Sequence, residues 1–335
     1  MASETPVLIG FFGESVPDGD QTAAEELSKF GGNPVWIDGK IPDGFPFNCS
    51  LCGVVLDFVC QVATPYGANK RCLYFFCCHA QATCGKRPEG WKVLRGVVEP
   101  SAPAQAEAEA YGAAHTSFKR ENDDLAAADP SDWLQVAFGS RTAPNTCSEK
   151  GNGKPKARDT KVALPASKSA ARLQQASEMM QAFFVEVENE PPDSSHLDAT
   201  GLRARELQLE YEQSSGAVET EAYEESPDKV FLKLQKRLSR SPKQAIRYSF
   251  GGKPLFISPL SKRDAMPPPP CPHCSCVRVF EVQLVPAAAE EIQKRRHSAD
   301  AAPVEWGVVV VFTCREDCVP SNAYAVEHVV VQEIL

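Results

Sequence analysis

The sequence predicts an α+β protein that is mainly antiparallel β, with two zinc-stabilised β-rich domains joined by a long, partly disordered acidic linker. Two observations predict the domains: short strand-like apolar runs recur near both ends of the chain, and each end carries paired cysteines at metal-ligand spacing. The residues between them lose hydrophobic periodicity and gain Ala, Glu, Ser and Pro, which predicts the linker. We place an N-terminal zinc-binding β domain at 1–99, the linker at 100–178, and a C-terminal zinc-binding α+β domain at 179–335.

The N-terminal region is predicted to contain strands and one short helix. Apolar and β-branched runs predict strands at 6–12, 53–63, 72–76 and 91–95. Residues 22–31 have the composition of a short helix. These elements lead into and out of the first group of cysteines.

That first group begins with the CxxC pair Cys49 and Cys52. Two intervening residues let one tight turn present both sulfur atoms to a single point, and a second pair can then complete the tetrahedron of structural zinc. Cys77, Cys78 and Cys84 are the downstream candidates. Because Cys77 and Cys78 are adjacent and alternate in direction along a strand, the sequence leaves open which of them is the ligand.

The C-terminal region is predicted to combine strands with helices. Residues 228–238 carry apolar side chains at helical spacing behind Ser226 and Pro227, and 202–212 has the composition of a surface helix. Residues 245–250 and 254–258 flank two glycines and predict a hairpin. Further strands are predicted at 181–190, 277–285, 307–312 and 328–334, with a helix at 287–296.

The second group of cysteines has the stronger spacing. Cys271 and Cys274 form a CxxC turn before one strand, and Cys314 and Cys318 follow the next strand. Two turns on neighbouring strands offer four thiolates to one Zn²⁺ ion. Cys276 is an extra thiol that could compete as a ligand.

The remaining cysteines and histidines receive structural interpretations. Cys60 and Cys72 are predicted to be small buried apolar residues, and Cys147 a free thiol in the linker. Four cysteines already fill a tetrahedral site, so His79 and His273 are predicted to be exposed turn residues.

Charge and composition limit the classes of function. The net charge is −9, and residues 101–230 hold 23 acidic and 13 basic side chains, which favours basic partners over phosphates. The N-terminal residues lack a signal-peptide pattern and no apolar run approaches the ~20 residues of a membrane span, so we expect a soluble, non-secreted protein without membrane contact. In a reducing compartment the clustered cysteines indicate metal rather than disulfides. Without a recognisable nucleophile motif or phosphate-binding loop, we predict no enzymatic activity.

The ordered motifs resemble the programmed cell death protein 2 family, and within it the programmed cell death protein 2-like branch. In the first half they are 6–10, 28–32, Cys49-x2-Cys52, 71–78 and 91–95. In the second half they are 244–248, 252–256, Cys271-x2-Cys274, 278–286, 304–307 and 312–318. Three positions depart from the family pattern: the spacing from Cys78 to Cys84 is one residue longer than usual, Lys70 replaces a frequent histidine, and Cys276 replaces a common glycine.

The resemblance implies ligands and a function. It marks Cys49, Cys52, Cys78 and Cys84 as the first zinc set and Cys271, Cys274, Cys314 and Cys318 as the second. It implies a non-enzymatic chaperone or adaptor for a basic small-subunit ribosomal protein of the S-five type in 40S subunit biogenesis, with a link to the nuclear export machinery. Such a protein is expected in the cytoplasm, with nuclear shuttling.

Two alternatives remain at this point. A zinc-finger nucleic-acid-binding protein would use basic side chains near the metal turns, for which Arg278 and 294–296 are the candidates, although the negative net charge disfavours direct nucleic-acid contact. A redox protein would hold iron in place of zinc, or use Cys77, Cys78 and Cys276 as reactive thiols.

Overall fold

The computed structural model describes residues 6–65, 69–99, 180–192, 227–261, 264–297 and 302–334. The predicted linker, the helical composition at 202–212 and Cys147 lie outside the described residues. Within them the chain is mainly antiparallel β with few helices, so this part of the predicted fold class is confirmed. No helix of the described part has both the length and the apolar character needed to cross a bilayer.

Most of the described strands and the two longer helices fall on the segments that the sequence pattern predicts. The strands are β1 (Leu8–Ser15), β2 (Lys29–Phe30), β3 (Asp57–Ala63), β4 (Lys70–Cys77), β5 (Trp91–Val98), β6 (Phe183–Asn189), β7 (Ile246–Tyr248), β8 (Arg278–Leu284), β9 (Val308–Cys314), β10 (Tyr324–Val326) and β11 (His328–Gln332). The helices are α1 (Ala82–Gly85), α2 (Pro227–Leu238) and α3 (Pro286–Arg295), with short 3-10 segments at Ile37–Gly39 and Pro88–Gly90. The predicted helices at 228–238 and 287–296 are therefore confirmed.

All the strands belong to one sheet, in the order β10-β5-β4-β3-β2-β6-β1-β7-β8-β9-β11. Strands from both predicted domains are thus neighbours: β1 pairs antiparallel with β6 on one side and with β7 on the other. The outermost strands, β10 and β11, are separated in the chain by Glu327 alone. One segment therefore pairs with β5 before Glu327 and with β9 after it, and joins the two ends of the sheet.

The largest core cluster lies between the two halves of this sheet. It contains Leu73 and Phe75 of β4 together with Val309 and Val311 of β9, all fully buried. Helix α3 adds its apolar face to the same cluster through Ala288, Ala289 and Ile292. Since alternate residues of a strand face opposite sides, the outer faces form two smaller clusters, one for each half.

Two predicted elements are wrong. Residues 22–31 form a turn followed by strand β2 rather than a helix, because Phe30 is fully buried in the core and Gly31 and Gly32 adopt positive φ angles. The predicted second strand of the 245–258 hairpin is also absent from the described sheet.

The backbone of the 254–258 segment hydrogen-bonds to side chains instead of to a neighbouring strand. The Leu255 N–H donates to Oε1 of Gln283 at 2.8 Å, and the Ile257 N–H donates to Oε1 of Gln332 at 2.7 Å. Both glutamines are buried, so their amides satisfy backbone groups that a strand pairing would otherwise satisfy.

Candidate metal centres

The first candidate centre brings together Cys49, Cys52, Cys78 and Cys84. Their sulfur atoms all lie within 4.8 Å of one another, and the Cys52 and Cys78 sulfurs are 3.5 Å apart. Four sulfurs at ~2.3 Å from a tetrahedral Zn²⁺ are about 3.8 Å from each other, so this donor set fits one such ion. The four residues come from one CxxC turn, from the residue that follows β4, and from helix α1.

The second candidate centre brings together Cys271, Cys274, Cys314 and Cys318. These sulfur atoms also lie within 4.8 Å of one another, with contacts of 3.5 Å between Cys271 and Cys318 and 3.4 Å between Cys274 and Cys314. Cys314 is the last residue of β9, and Cys318 follows after one turn. All eight cysteines of the two centres are free thiols, so neither group is a pair of disulfides.

The two CxxC turns share one hydrogen-bond pattern. At the first centre the Cys49 N–H donates to the Val54 carbonyl and the Gly53 N–H donates to the Cys49 carbonyl. At the second, the Cys271 N–H donates to the Cys276 carbonyl and the Ser275 N–H donates to the Cys271 carbonyl. Gly53 and Ser275 occupy the same place in the turn and both have positive φ, at 73° and 62°. This tight turn is what aims two sulfurs at one point.

Backbone amides and burial act in opposite directions on the thiols. The Val54 N–H lowers the pKa of Cys52, because a hydrogen bond to sulfur favours the thiolate. Burial raises the pKa of Cys84 to about 11 and the pKa of Cys314 to about 11. Burial disfavours the charged thiolate, and metal binding requires it. A cation bound at each centre would therefore stabilise the thiolates that burial destabilises.

The structure separates the two adjacent cysteines that the sequence left open. Cys78 joins the first centre, whereas Cys77 points into the central core and is fully buried there. Cys60 and Cys72 are fully buried among apolar residues, as predicted. Burial raises the pKa of Cys72 to about 12 and raises that of Cys60 well above its usual value. These three thiols belong to the core and not to a metal site.

The two histidines differ from each other. His273 is exposed in the second CxxC turn, as predicted. The prediction for His79 is wrong: this side chain is buried, and its Nδ1 lies 3.1 Å from Oδ2 of Asp57. The strand that carries Asp57 therefore covers the residue next to Cys78. Cys276, the extra thiol, is half-buried and lies outside the four-sulfur cluster.

A buried network of ion pairs adjoins the second centre, and sequence reasoning missed it. It contains three arginines, Arg71, Arg95 and Arg278, and three carboxylates, Glu281, Asp317 and Glu327. The side chains of Arg71 and Arg95 are at most 1% exposed, as are those of Glu281 and Glu327. Their signal in the sequence is a charged residue in a mainly apolar strand: Arg71 directly precedes Cys72–Phe76, and Glu281 lies within Val279–Leu284.

This fold and these sites define a class of protein: a mainly antiparallel β protein with two four-cysteine centres, each able to hold a metal ion. Two family profiles match the chain. The programmed cell death protein 2 N-terminal domain matches residues 6–105, and the programmed cell death protein 2 C-terminal domain matches residues 228–334. The chain belongs to the programmed cell death protein 2 family.

Relatives of both branches of the family are similar over most of their length. The chain is 30% identical to "Programmed cell death protein 2-like" of Gallus gallus, over 88% of this chain and 86% of that relative. It is 26% identical to "Programmed cell death protein 2" of Bos taurus, over 100% of this chain and 99% of that relative. A more distant relative, "Probable 20S rRNA accumulation protein 4" of Schizosaccharomyces pombe, is 25% identical over 98% of both chains. No solved structure matches the chain.

Proposed function

We propose that this protein is a non-enzymatic chaperone or adaptor for a basic small-subunit ribosomal protein of the S-five type, and that it acts in 40S subunit biogenesis. The observation that carries the proposal is the fission yeast relative whose name refers to 20S rRNA accumulation. That relative matches over 98% of both chains, so the likeness covers both cysteine centres and the sheet that joins them. Within the family this name connects the fold to small-subunit rRNA processing.

The charge of the chain supports a basic client. The net charge is −9, and Glu186 and Glu188 are exposed on one face of strand β6. An acidic surface attracts a basic ribosomal protein during encounter and disfavours contact with RNA phosphates. The same protein is proposed to reside in the cytoplasm, to enter and leave the nucleus with its client, and to contact the nuclear export machinery there.

Each four-cysteine centre is proposed to hold one structural Zn²⁺ ion. The sulfur spacing fits a tetrahedral ion of that size, and closed sites with four cysteine ligands leave no position for a substrate. The metal's part is then to fix the turns and strand ends of a binding protein. Measurement of the metal content of purified protein tests this: two zinc ions per chain are expected, and a coloured iron protein would contradict it.

Nucleic-acid binding is the second candidate, because the name of the same relative refers to an rRNA. The basic residues that would carry it are engaged within the chain. Arg278 pairs with Glu327 at 3.0 Å, Lys294 pairs with Glu290 at 2.7 Å, and Arg296 donates to the Ala302 carbonyl at 2.7 Å. These contacts compete with phosphate binding and so disfavour this second candidate.

Capture of a tagged copy from translating cells distinguishes the two candidates. The chaperone proposal expects strong enrichment of one basic small-subunit ribosomal protein that survives RNase treatment. Recovery of many RNA-bound proteins that disappear with RNase would contradict it and favour nucleic-acid binding, whose affinity for generic RNA would also fall steeply with salt.

A charge-reversal variant tests the electrostatic part of the proposal. In Glu186→Lys/Glu188→Lys, association with the purified ribosomal client should slow several-fold at low salt, and the difference should shrink as salt screens the charges. The matched control Glu186→Gln/Glu188→Gln removes half as much charge and should give an intermediate rate, with unchanged zinc content. Equal association rates for all three proteins at low salt would show that this acidic face does not steer the client.

A further inference from the structure

Arg95 reaches the second cysteine centre from the other half of the protein. It lies on β5, 223 residues before Cys318 in the chain, yet its Nη1 donates to the Cys318 carbonyl at 2.9 Å and its Nη2 donates to the Cys318 sulfur at 3.7 Å. The same Nη1 donates to Oδ1 of Asp317 at 2.9 Å. A single guanidinium thus contacts a predicted ligand, its backbone and its neighbour.

A second arginine converges on the same loop. Arg71 lies on β4 next to β5, on the same face of the sheet as Arg95, since Arg95 pairs with Leu73 two residues further along β4. Its Nε lies 3.1 Å from Oδ1 of Asp317, and its Nη2 lies 2.8 Å from Oε2 of Glu281. Two buried cations of the N-terminal half therefore share one carboxylate of the Cys314–Cys318 loop.

Between β9 and β11, the loop is one of two places where the chain crosses between the halves; the other is Glu327, between β10 and β11. Cys314 ends β9, and the chain then passes Asp317 and Cys318 before it pairs with β5 as β10. Asp317 has a positive φ of 46°, so the loop is a sharp turn whose side chain points back to the arginines. The ligands and the crossing are the same short segment.

The charges of this region explain why an arginine belongs there. Four thiolates around Zn²⁺ carry a net charge of about −2, which is costly to bury without a nearby cation. Arg95 is fully buried and pairs with Glu327 at 2.7 Å and with Asp317 at 2.9 Å, and an arginine side chain keeps its proton in a protein. The charged guanidinium donates to the Cys318 sulfur at 3.7 Å, and a charge-assisted hydrogen bond of this kind favours the thiolate that a metal needs.

We propose that Arg95 completes the second metal centre from the N-terminal half, so that metal binding there and the attachment of strands β4 and β5 to the C-terminal half stabilise each other. The inference rests on the zinc part of the proposed function. Arg95 acts as a positioning residue: it orients Cys318 through its hydrogen bonds to the carbonyl and to the sulfur, and it does not bind the metal. Outer partners of this kind typically change metal affinity 10- to 100-fold when they are removed.

The test compares Arg95→Met with Arg247→Met in the full-length zinc-loaded protein. Arg247 is a matched control, because it is also buried and ion-paired, with Glu190 at 2.7 Å, but it contacts neither centre in the described hydrogen bonds. Each protein is exposed to increasing EDTA, and the cysteines that become accessible are alkylated and identified by mass spectrometry. Total zinc is measured in parallel.

In Arg95→Met, the cysteines of the second centre should become alkylated at 10- to 100-fold lower EDTA concentration, while those of the first centre keep the wild-type midpoint. Arg95→Lys should recover part of the difference, since it restores the charge but not the planar fork. Hydrogen exchange should also accelerate in β10 and β5 when the second centre loses its metal.

The outcomes separate this inference from the one on which it rests. Suppose that the wild-type protein binds two zinc ions. If Arg95→Met then leaves the EDTA midpoints unchanged, or lowers those of both centres to the same degree as Arg247→Met, only the role of Arg95 is overturned. A wild-type protein without metal at the second centre would overturn the zinc proposal and this inference together.

Discussion

The two four-cysteine centres have the same CxxC turn and differ in the residues that contact their other two cysteines. Each starts from a CxxC turn with identical backbone hydrogen bonds and one left-handed residue. At the first centre, Cys78 and Cys84 come from the N-terminal half, as does the Asp57 that contacts His79. At the second, Cys318 is contacted by Arg95 of the other half. The comparison teaches that a local turn can bring the first two sulfurs together, whereas, among the hydrogen bonds of the described residues, a contact from a distant strand connects only the second centre to the other half of the protein.

Removal of one ligand from each centre should have the largest effect. Cys52→Ser and Cys274→Ser replace the two half-buried ligands of their CxxC turns, and each variant should retain one zinc and lose more than ~4 kcal/mol of unfolding free energy, as expected for the loss of a metal. Hydrogen exchange by mass spectrometry should show faster exchange at residues 45–57 in Cys52→Ser. In Cys274→Ser, exchange should become faster around its own CxxC turn and also in β5 of the other half. Equal and local effects at both centres would remove the difference between them.

Removing one carboxylate near each centre should have the next largest effect. Glu281→Ala removes one of the two carboxylates that pair with the buried Arg71 and should cost ~3–5 kcal/mol, because the buried positive charge is then only partly compensated. Asp57→Ala, next to the first centre, should cost less, ~1–2 kcal/mol, because it removes a single hydrogen bond to the buried His79 and the Asp57 side chain is itself 28% exposed. Denaturant unfolding measures both. Similar losses for the two variants would show that burial does not distinguish them.

The left-handed residue of each turn offers the smallest and most closely matched comparison. A side chain at Gly53 meets no atom within 4 Å, so Gly53→Ala should cost only the backbone strain of a positive φ, ~1 kcal/mol. Ser275→Gly removes that strain but adds freedom to the unfolded chain, so it should gain less than Gly53→Ala loses. Thermal unfolding of the zinc-loaded proteins measures the pair, and a loss in Ser275→Gly would contradict the shared turn geometry.

Local patterns predicted much of this protein. The described strands other than β2 and β10, helices α2 and α3, and the buried character of Cys60 and Cys72 follow from short-range periodicity and residue type. The sequence could not choose between Cys77 and Cys78. That choice depends on which face of β4 meets the core shared by both halves, where Cys77 lies.

The failed predictions have one physical cause. A short helix at 22–31 and a strand at 254–258 were assigned from local composition, but distant partners compete for those segments. Phe30 is placed by the central core, and the backbone of Leu255 is satisfied by the side chain of Gln283. Where a long-range contact is worth more than a local propensity, the local prediction fails.

The sequence by itself determined the class of secondary structure, the two CxxC turns and the cysteines available to complete each centre, because these depend on residues a few positions apart. The tertiary structure alone decided that the strands of both halves form one sheet, that the chain crosses between its two ends at Glu327, and that Arg95 meets Cys318. The contacts of Arg95 with Glu327 and Cys318 join residues more than two hundred positions apart. The spacing of nearby residues does not predict these contacts, because strand pairing and buried ion pairs between distant residues form only in the folded protein.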